Sequence, residues 1–341
     1  MIEYSVDQGK LTAGPRCIIH PVFPADSIML GRTPFTLNYV QWDEFFSLCG
    51  QIKSQLSTPK YVFVNATWDP IRPDNEEIVQ RRLELQAIFS ESKVVVLSAH
   101  AQHFYDNLPG IIYFPFFTLC NYHDLPVMPR RGRFGCLNRR PAIHRIRLMY
   151  HALDQGLLDA SKDVFSVSFE SIHHGNLYNF YGSGYEWMER EIEKLPRQIA
   201  THPDGFPCDY SICHPAWHTG ITVITETEPG DRTIICEKTG KGIISRSCFS
   251  VYMAEVGYCV LEDLGFEPRF FADHAEYENI EPLLRIFREF ETESQALDYR
   301  QQHIQQVNHN FDWFGIDQPD FWRRPWYVKY EPKLKDGLAS L

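Results

Sequence analysis

Short apolar runs alternate along the first part of the chain with longer stretches in which apolar positions recur at helical spacing. The runs occupy residues 17–20, 61–65, 94–98 and 111–114, and helical spacing marks residues 38–56 and 75–89. Solid apolar runs separated by helices are typical of a parallel sheet that is covered on both faces and connected by right-handed crossovers. Residues 1–130 are therefore predicted to form one α/β domain.

The same alternation returns after residue 130. Strands are predicted over 134–138, 164–168, 221–225 and 248–252, and helices from Pro141, over 186–200, over 241–246 and from Ile280 to about Val307. Residues 131–305 are therefore predicted to form a second α/β domain. The tail, 306–341, is rich in aromatic residues. Because such rings bury large areas, we expect the tail to pack back onto the first domain rather than to stack on nucleic-acid bases.

Composition and charge limit the classes of protein to which this chain can belong. The length of 341 residues suits two domains of ordinary size. No apolar run approaches the ~20 residues that span a membrane, and the N-terminus lacks the pattern of a signal peptide, so a cytoplasmic protein is expected. The nine cysteines follow no regular framework and are expected to be reduced thiols. A formal charge of −11 argues against non-specific nucleic-acid binding, although it allows a local basic groove.

Polar residues lie at or just past the ends of three predicted strands in the first domain, namely His20, Asp69 and His100. Ligands of parallel α/β sheets bind beyond the carboxyl ends of the strands, so these side chains are candidate functional residues. No glycine-rich dinucleotide or phosphate-binding motif follows any of these strands. Neither a dinucleotide enzyme nor an ATPase is therefore indicated.

An arginine-rich segment joins the two predicted domains. Between Arg130 and Arg147 there are seven arginines and no acidic residue. Planar guanidinium groups match phosphate oxygens, so the strand-to-helix junction of Asn138, Arg139, Arg140 and Arg145 is a candidate anion site. For residues 130–133 a solvated basic linker is an equally good interpretation. DNA phosphate is a further possible partner for the whole segment.

A second candidate site follows the predicted strand at 221–225, which ends at Glu226. Glu237 and Lys238 come before the predicted helix at 241–246, with Lys241 at its start. An acid and two lysines beside a helix N-terminus can bind a sugar hydroxyl and a phosphate together. The alternative is a surface turn that carries an ion pair, as most Glu-Lys steps do.

Metal binding is not expected. Cys208, Cys213, His214 and His218 fit no tight zinc spacing, and Pro215 interrupts the helical spacing of the two histidines. The His173-His174 pair is predicted to lie in an exposed loop. No functional site is assigned to it, because two adjacent histidines specify little by themselves.

Two blocks of the second domain resemble a known family. The first is residues 134–141 with His144, Arg145 and 156–159, and the second is residues 225–241 with 264–266. These blocks resemble bacterial and phage sugar transferases and, more distantly, the α-1,3-fucosyltransferases. The resemblance implies a GT-B fold, with two facing Rossmann-like domains, and a nucleotide-diphosphate sugar as donor with no required cofactor or metal. It also implies that Glu237 binds the ribose while Lys238 and Arg145 neutralise the diphosphate.

The sequence thus predicts a glycosyltransferase that moves a sugar to an acceptor hydroxyl. An inverting transfer needs a base on the acceptor side, for which Asp69 is the first candidate and His20, Asp26 and His100 are alternatives. The acceptor is either a glycan or a hydroxymethylated base in phage DNA, which would have to be flipped out of the duplex. A non-enzymatic nucleic-acid-binding or adaptor protein on a degenerate transferase fold is the remaining alternative. The donor sugar, the stereochemical course and the oligomeric state stay open.

Overall fold

A computed structural model describes most of the chain. The described residues are 2–7, 10–14, 27–32, 42–55, 59–65, 75–106, 108–115, 129–138, 143–168, 198–200, 214–226, 233–275, 279–318 and 320–340. Contacts divide the chain into two compact units, one formed by Met1–Leu119 with Tyr327–Leu341 and the other by Cys120–Trp326. Both units are α/β, and each is built on a mostly parallel sheet.

The first unit contains a six-stranded sheet. Its elements are β1 (Ile2–Asp7), β2 (Lys10–Gly14), β3 (Ser27–Arg32), α1 (Trp42–Gln55), β4 (Tyr61–Asn65), α2 (Asn75–Ile88), β5 (Lys93–Ser98) and β6 (Ile111–Tyr113). The strand order is β2-β1-β3-β4-β5-β6, and only β2 runs antiparallel to its neighbour. Buried residues of β3, β4 and β5 form the core with α1 and α2, as expected for a parallel sheet under helices.

The second unit contains a five-stranded sheet. Its strands are β7 (Phe134–Asn138), β8 (Val164–Ser168), β9 (Gln198–Ala200), β10 (Ile221–Thr225) and β11 (Cys248–Tyr252). Its helices are α3 (Ile143–Asp154), α4 (Glu237–Ile244), α5 (Glu255–Asp263), α6 (Glu281–Glu289), α7 (Glu293–Gln302) and α8 (Ile304–Phe314). The strand order is β11-β10-β7-β8-β9, and only β9 is antiparallel to its neighbour. The helix α9 (Pro325–Ala339) follows, and its residues from Tyr327 onward belong to the first unit.

Helices cover both faces of the second sheet. Ile221 and Val223 of β10 belong to a core cluster that includes residues of α3 and α6. Ile224 points to the other face, since side chains alternate along a strand. There α4 lies so close that a Cβ on Gly242 would fall 2.6 Å from the Ile224 Cδ1 atom. This close approach holds the start of α4 at the carboxyl end of β10.

The apolar runs predicted most elements, but the structure differs in four places. The strands β1, β2 and β3 were not predicted, because β1 alternates apolar and polar residues instead of forming a solid run. Residues 198–200, predicted to end a helix, form β9. The helix predicted over 241–246 begins at Glu237, and the long helix predicted from Ile280 is three helices, α6, α7 and α8.

Three further predictions fall on undescribed parts of the chain. The strand predicted at 17–20, the helix over 186–197 and the turn after β4 lie outside the described residues. Among the helices that the structure does describe, none is long and apolar enough to cross a membrane.

Candidate ligand-binding site

The carboxyl ends of β7 and β10 lie side by side in the second sheet. The two strands are parallel, with Cys136 opposite Val223, so Asn138 and Thr225 end the strands together. The Thr225 hydroxyl donates to Asn138 Oδ1 at 2.5 Å, and Asn138 Nδ2 donates to the Cys136 sulfur at 3.1 Å. Asn138 is buried and joins the two strand ends. Its contacts make it a positioning residue at this edge.

The helix α3 is anchored to the end of β10 by two consecutive side chains. Arg145 Nη2 donates to the carbonyl oxygens of Thr225 and Glu226, at 3.1 and 3.0 Å. His144 Nε2 donates to the same Glu226 carbonyl at 2.8 Å. Arg145 is only 2 % exposed, so its positive charge lies inside this edge of the sheet. Arg145, which the sequence predicts to bind phosphate, therefore also has a structural role, which is to hold the end of β10 against α3.

Glu226 connects the end of β10 with the start of α4. Its side chain is fully buried, and Oε1 accepts hydrogen bonds from the Cys236 amide at 3.2 Å and from the Thr239 hydroxyl. Among the described residues, Oε2 has no hydrogen-bond partner. Glu226, predicted as a ligand-binding residue, thus fixes the N-terminus of α4 through one carboxylate oxygen.

The first turn of α4 carries the Glu-Lys pair. Cys236 is the N-cap, and its sulfur accepts from the Lys238 amide at 3.5 Å and from Lys238 Nζ at 3.1 Å. Burial raises the pKa of Cys236 well above its usual value, and the charges of Glu226 and Glu237 act in the same direction. The sulfur is therefore a neutral thiol at neutral pH. A helix N-terminus favours an acid in its first turn, which is where Glu237 lies.

Glu237 and Lys238 are both charged and partly accessible. Glu237 Oε1 lies 3.8 Å from Lys238 Nζ, and the two side chains are 30 % and 20 % exposed. Partial burial disfavours the Glu237 carboxylate, but Lys238 and Lys241 outweigh it and lower the pKa to about 2. Burial also disfavours the Lys238 ammonium, but the negative charges of Glu237 and Glu226 oppose this effect, and the pKa of Lys238 is raised. This pair is the accessible part of the site.

Lys241 lies deeper than the pair. It is 2 % exposed, and its Nζ lies 5.9 Å from the centre of the Trp217 ring. Its charge still stabilises the Glu237 carboxylate across one turn of α4. Lys241 therefore acts on the site through the field that it creates.

The structure brings most of the predicted donor-site residues together. Asn138, Arg145, Glu226, Glu237 and Lys238 form a continuous network at one edge of the second sheet. Arg139 and Arg140, also predicted there, lie outside the described residues. The sequence did not single out Thr239 and Cys236, whose bonds to Glu226 orient α4, because neither residue type signals such a role by itself.

In the first unit, only His100 can be placed among the predicted catalytic residues, because His20, Asp26 and Asp69 lie outside the described ranges. His100 is buried just past the carboxyl end of β5, with its ring 5.5 Å from that of His103. His103 Nδ1 and the Ser98 hydroxyl share a hydrogen bond of 2.6 Å. Burial, and then the charge of His100, lower the pKa of His103 to about 4. Sequence reasoning missed His103, although its spacing of three residues from His100 suggests a shared turn.

The arginine-rich segment before β7 is not a solvated linker over its whole length. Arg133 is buried, and its guanidinium group donates to both carboxylate oxygens of Asp163, at 3.1 and 2.6 Å. It also donates to the carbonyl oxygens of Leu157 and Phe290. The interpretation as a linker is therefore wrong for Arg133, since this side chain joins β7 to the loops around it.

The described histidines of the weak metal motif have internal contacts. His214 Nδ1 accepts from the Ala216 amide at 3.2 Å and caps a short 3₁₀ helix that contains His218. Cys208, Cys213, His173 and His174 lie outside the described residues. Within the part of the chain that the structure describes, no group of three or more His, Cys, Asp or Glu could hold a metal ion.

Comparison of the chain with protein-family models, curated proteins and solved structures finds no match. Function has to be inferred from the chemistry of the site itself.

Proposed function

We propose that this protein is a glycosyltransferase whose second unit binds a nucleotide-diphosphate sugar at Glu237 and Lys238. The observation that carries the proposal is an ionised, partly accessible Glu-Lys pair in the first turn of a helix at the carboxyl edge of a parallel sheet. Ligands of open α/β sheets bind at this edge, and helix N-termini favour phosphate.

The two exposed charges have complementary tasks in the proposed donor complex. The Glu237 carboxylate accepts hydrogen bonds from ribose hydroxyls, and its low pKa keeps it an acceptor at every physiological pH. Lys238 offers its ammonium group to the diphosphate oxygens. Glu226, Thr239 and Cys236 hold the first turn of α4 in place, so both groups are positioned before the donor arrives.

Sugar transfer breaks the bond between the anomeric carbon and the phosphate oxygen, and the electron pair leaves with the diphosphate. The acceptor oxygen forms the new bond to that carbon and gives its proton to a base. Lys238, with the buried charge of Arg145 nearby, stabilises the negative charge that develops on the leaving group. In this proposal the two units take a GT-B arrangement, and the base is Asp69 of the first unit, with His20, Asp26 and His100 as alternatives.

Calorimetric titration with UDP, GDP and CMP tests the donor site. We expect one of them to bind, and Lys238→Ala to weaken that binding by about tenfold or more, since a charge-assisted contact to phosphate is lost. Glu237→Gln should weaken nucleotide binding but not the binding of inorganic pyrophosphate, because it replaces the charged ribose acceptor by a weaker neutral one and removes no cation that contacts phosphate. Lys162→Ala is the matched control, since Lys162 pairs with Asp159 at 3.6 Å and is exposed.

Two results would count against the proposal. The first is the absence of binding for all three nucleotides, and the second is wild-type affinity in Lys238→Ala. Salt-sensitive binding of duplex DNA that persists in Glu237→Gln would instead favour a nucleic-acid-binding protein. Mass spectrometry after incubation with mixed sugar nucleotides and either a glycan or hydroxymethylated DNA identifies the acceptor.

A further inference from the structure

Three arginines meet at the opposite edge of the second sheet, where its parallel strands begin. Arg130 lies four residues before β7, Arg246 lies two residues before β11, and Arg300 belongs to α7. The strands are five residues long, so at 3.3 Å per residue this edge lies about 16 Å from the carboxyl edge, where the Glu-Lys pair lies. The arginines therefore belong to a separate place on the unit.

A shared acceptor brings the guanidinium groups together. Arg130 Nη2 donates to the Arg246 carbonyl oxygen at 2.7 Å, and Arg300 Nε donates to the same oxygen at 3.1 Å. Arg130 also donates to the carbonyl oxygens of Thr219 and Ser245, at 3.1 and 2.5 Å. Arg130 and Arg300 are thus fixed within a few ångströms of each other by backbone oxygens of one turn.

The side chain of Arg246 lies close enough for its charge to act on both Arg130 and Arg300. Its guanidinium carbon lies 4.0 Å from the centre of the Phe311 ring, which holds the charge by a cation–π contact. The backbone at Arg246 is left-handed, with φ of 54°, a conformation in which a non-glycine residue is uncommon. We call these three residues the arginine cluster.

The arginine cluster has no acidic partner among the described residues, unlike several other arginines of this unit. Salt bridges neutralise Arg133, Arg269, Arg285 and Arg288. No carboxylate among the described residues pairs with Arg130, Arg246 or Arg300, whose protein partners are carbonyl oxygens and one ring. Three adjacent cations without an anion repel one another, and the cost is greater where solvent is partly excluded.

Several donors of the arginine cluster have no acceptor within the described chain. Within the described chain, neither the Arg246 guanidinium group nor the two terminal nitrogens of Arg300 donate to a protein atom. Burial, and then the charges of Arg300 and Arg246, lower the pKa of Arg130 below its usual value. Burial and Arg246 lower the pKa of Arg300 in the same way. A bound anion would raise the pKa of both arginines again, because an opposite charge nearby favours the charged form.

We propose that the arginine cluster is a binding site for a compact phosphate dianion, distinct from the donor site. Forked guanidinium groups match the oxygens of such an anion, and three of them balance its charge with one cation in excess. The anion is either inorganic phosphate or the terminal phosphate of a small phosphorylated metabolite. This site does not depend on the proposed transferase activity.

The test is a titration of the Lys238→Ala protein with inorganic phosphate, which keeps the donor site from contributing. We expect saturable binding that Arg246→Gln or Arg300→Gln, added to this background, weakens by about tenfold or more, because each removes a charge-assisted contact. Arg285→Gln is the matched control, since Arg285 is exposed and already paired with Asp273. At a fixed phosphate concentration, phosphate should also raise the melting temperature of the background protein and of the control by more than that of the Arg246→Gln protein.

Absence of saturable phosphate binding overturns the proposal, as does equal affinity in the Arg246→Gln and Arg285→Gln proteins. Circular dichroism of each variant separates lost binding from lost folding, and Arg246→Gln keeps the carbonyl oxygen that Arg130 and Arg300 use. A phosphorylated sugar that binds more tightly than inorganic phosphate identifies a metabolite as the source of the anion. Duplex DNA binding that needs Arg246 in the absence of phosphate binding would overturn the small-ligand assignment.

Discussion

Charged residues at the carboxyl edge of the second sheet divide by exposure into two groups. Arg145, Glu226 and Lys241 are buried and hold or polarise the edge, whereas Glu237 and Lys238 reach the surface. Residue type and position identify all five in the sequence, because each lies at a predicted strand end or near a predicted helix start. Which of them face solvent could not be predicted, since exposure depends on how α3 and α4 pack against β10.

Protonation of His103 provides a test at the residue scale. Its pKa falls from the ordinary 6.5 to about 4 in the folded protein. The folded state therefore stays neutral while the unfolded chain takes up a proton, so stability is lost as pH falls from about 6.5 towards 4. A shift of this size corresponds to about 3 kcal/mol.

Urea denaturation of wild type and of His103→Asn, from neutral pH down to pH ~4.5, measures this contribution. As pH falls, the free energy of unfolding should decrease less steeply in the variant. The difference between the two slopes should correspond to the uptake of about one proton. Ser98→Ala serves as the control, because it removes the hydrogen bond but keeps the buried ring and hence the pH dependence. Identical slopes in wild type and His103→Asn would contradict the lowered pKa, because they would mean that the ring takes up its proton as readily in the folded protein as in the unfolded chain.

Elements with a solid apolar run were predictable, and those whose limits depend on local hydrogen bonds were less so. β4, β5, β7, β10 and β11 appear where the sequence predicts them, since continuous apolar residues favour a covered parallel strand. The break between α6 and α7 has a readable signal, because Thr292 and Gln295 form a capping box. The start of α4 has none, because its N-cap is a cysteine.

Gly135 tests the packing of β7 at the element scale. A Cβ atom there would lie 1.8 Å from the backbone oxygen of Ala216, which belongs to the 3₁₀ helix before β10. Gly135→Ala should therefore destabilise the second unit by about 3 kcal/mol or more, because backbone cannot move aside as a side chain can. In Gly50→Ala the new Cβ meets nothing within 4 Å, so this helical control should gain about 0.5–1 kcal/mol. Thermal unfolding measures both, and a similar stability for both variants would contradict the packing.

At the scale of the whole molecule, the chain closes its first unit with residues from its far end. The hydroxyl group of Tyr330 donates to the Tyr113 carbonyl oxygen, and its ring packs edge-on against Phe114. The aromatic content of the tail predicts that it packs onto a domain, but it does not show which part of the tail belongs to which unit. Trp313, which is also in the predicted tail, donates to the Leu264 carbonyl oxygen of the second unit at 2.8 Å. Aromatic side chains of the predicted tail thus pack in both units, and the sequence does not show which ring belongs to which unit.

Hydrogen exchange over the whole chain, with and without a saturating mixture of UDP, GDP and CMP, tests the central claim most directly. The proposed donor site predicts slower amide exchange in residues 236–241, the first turn of α4, and no change in residues 281–289 of α6, which belong to neither proposed site. The Lys238→Ala protein should lose the protection at 236–241. Unchanged exchange at 236–241 in the wild-type protein, or protection confined to other segments, would contradict a nucleotide-sugar site at Glu237 and Lys238.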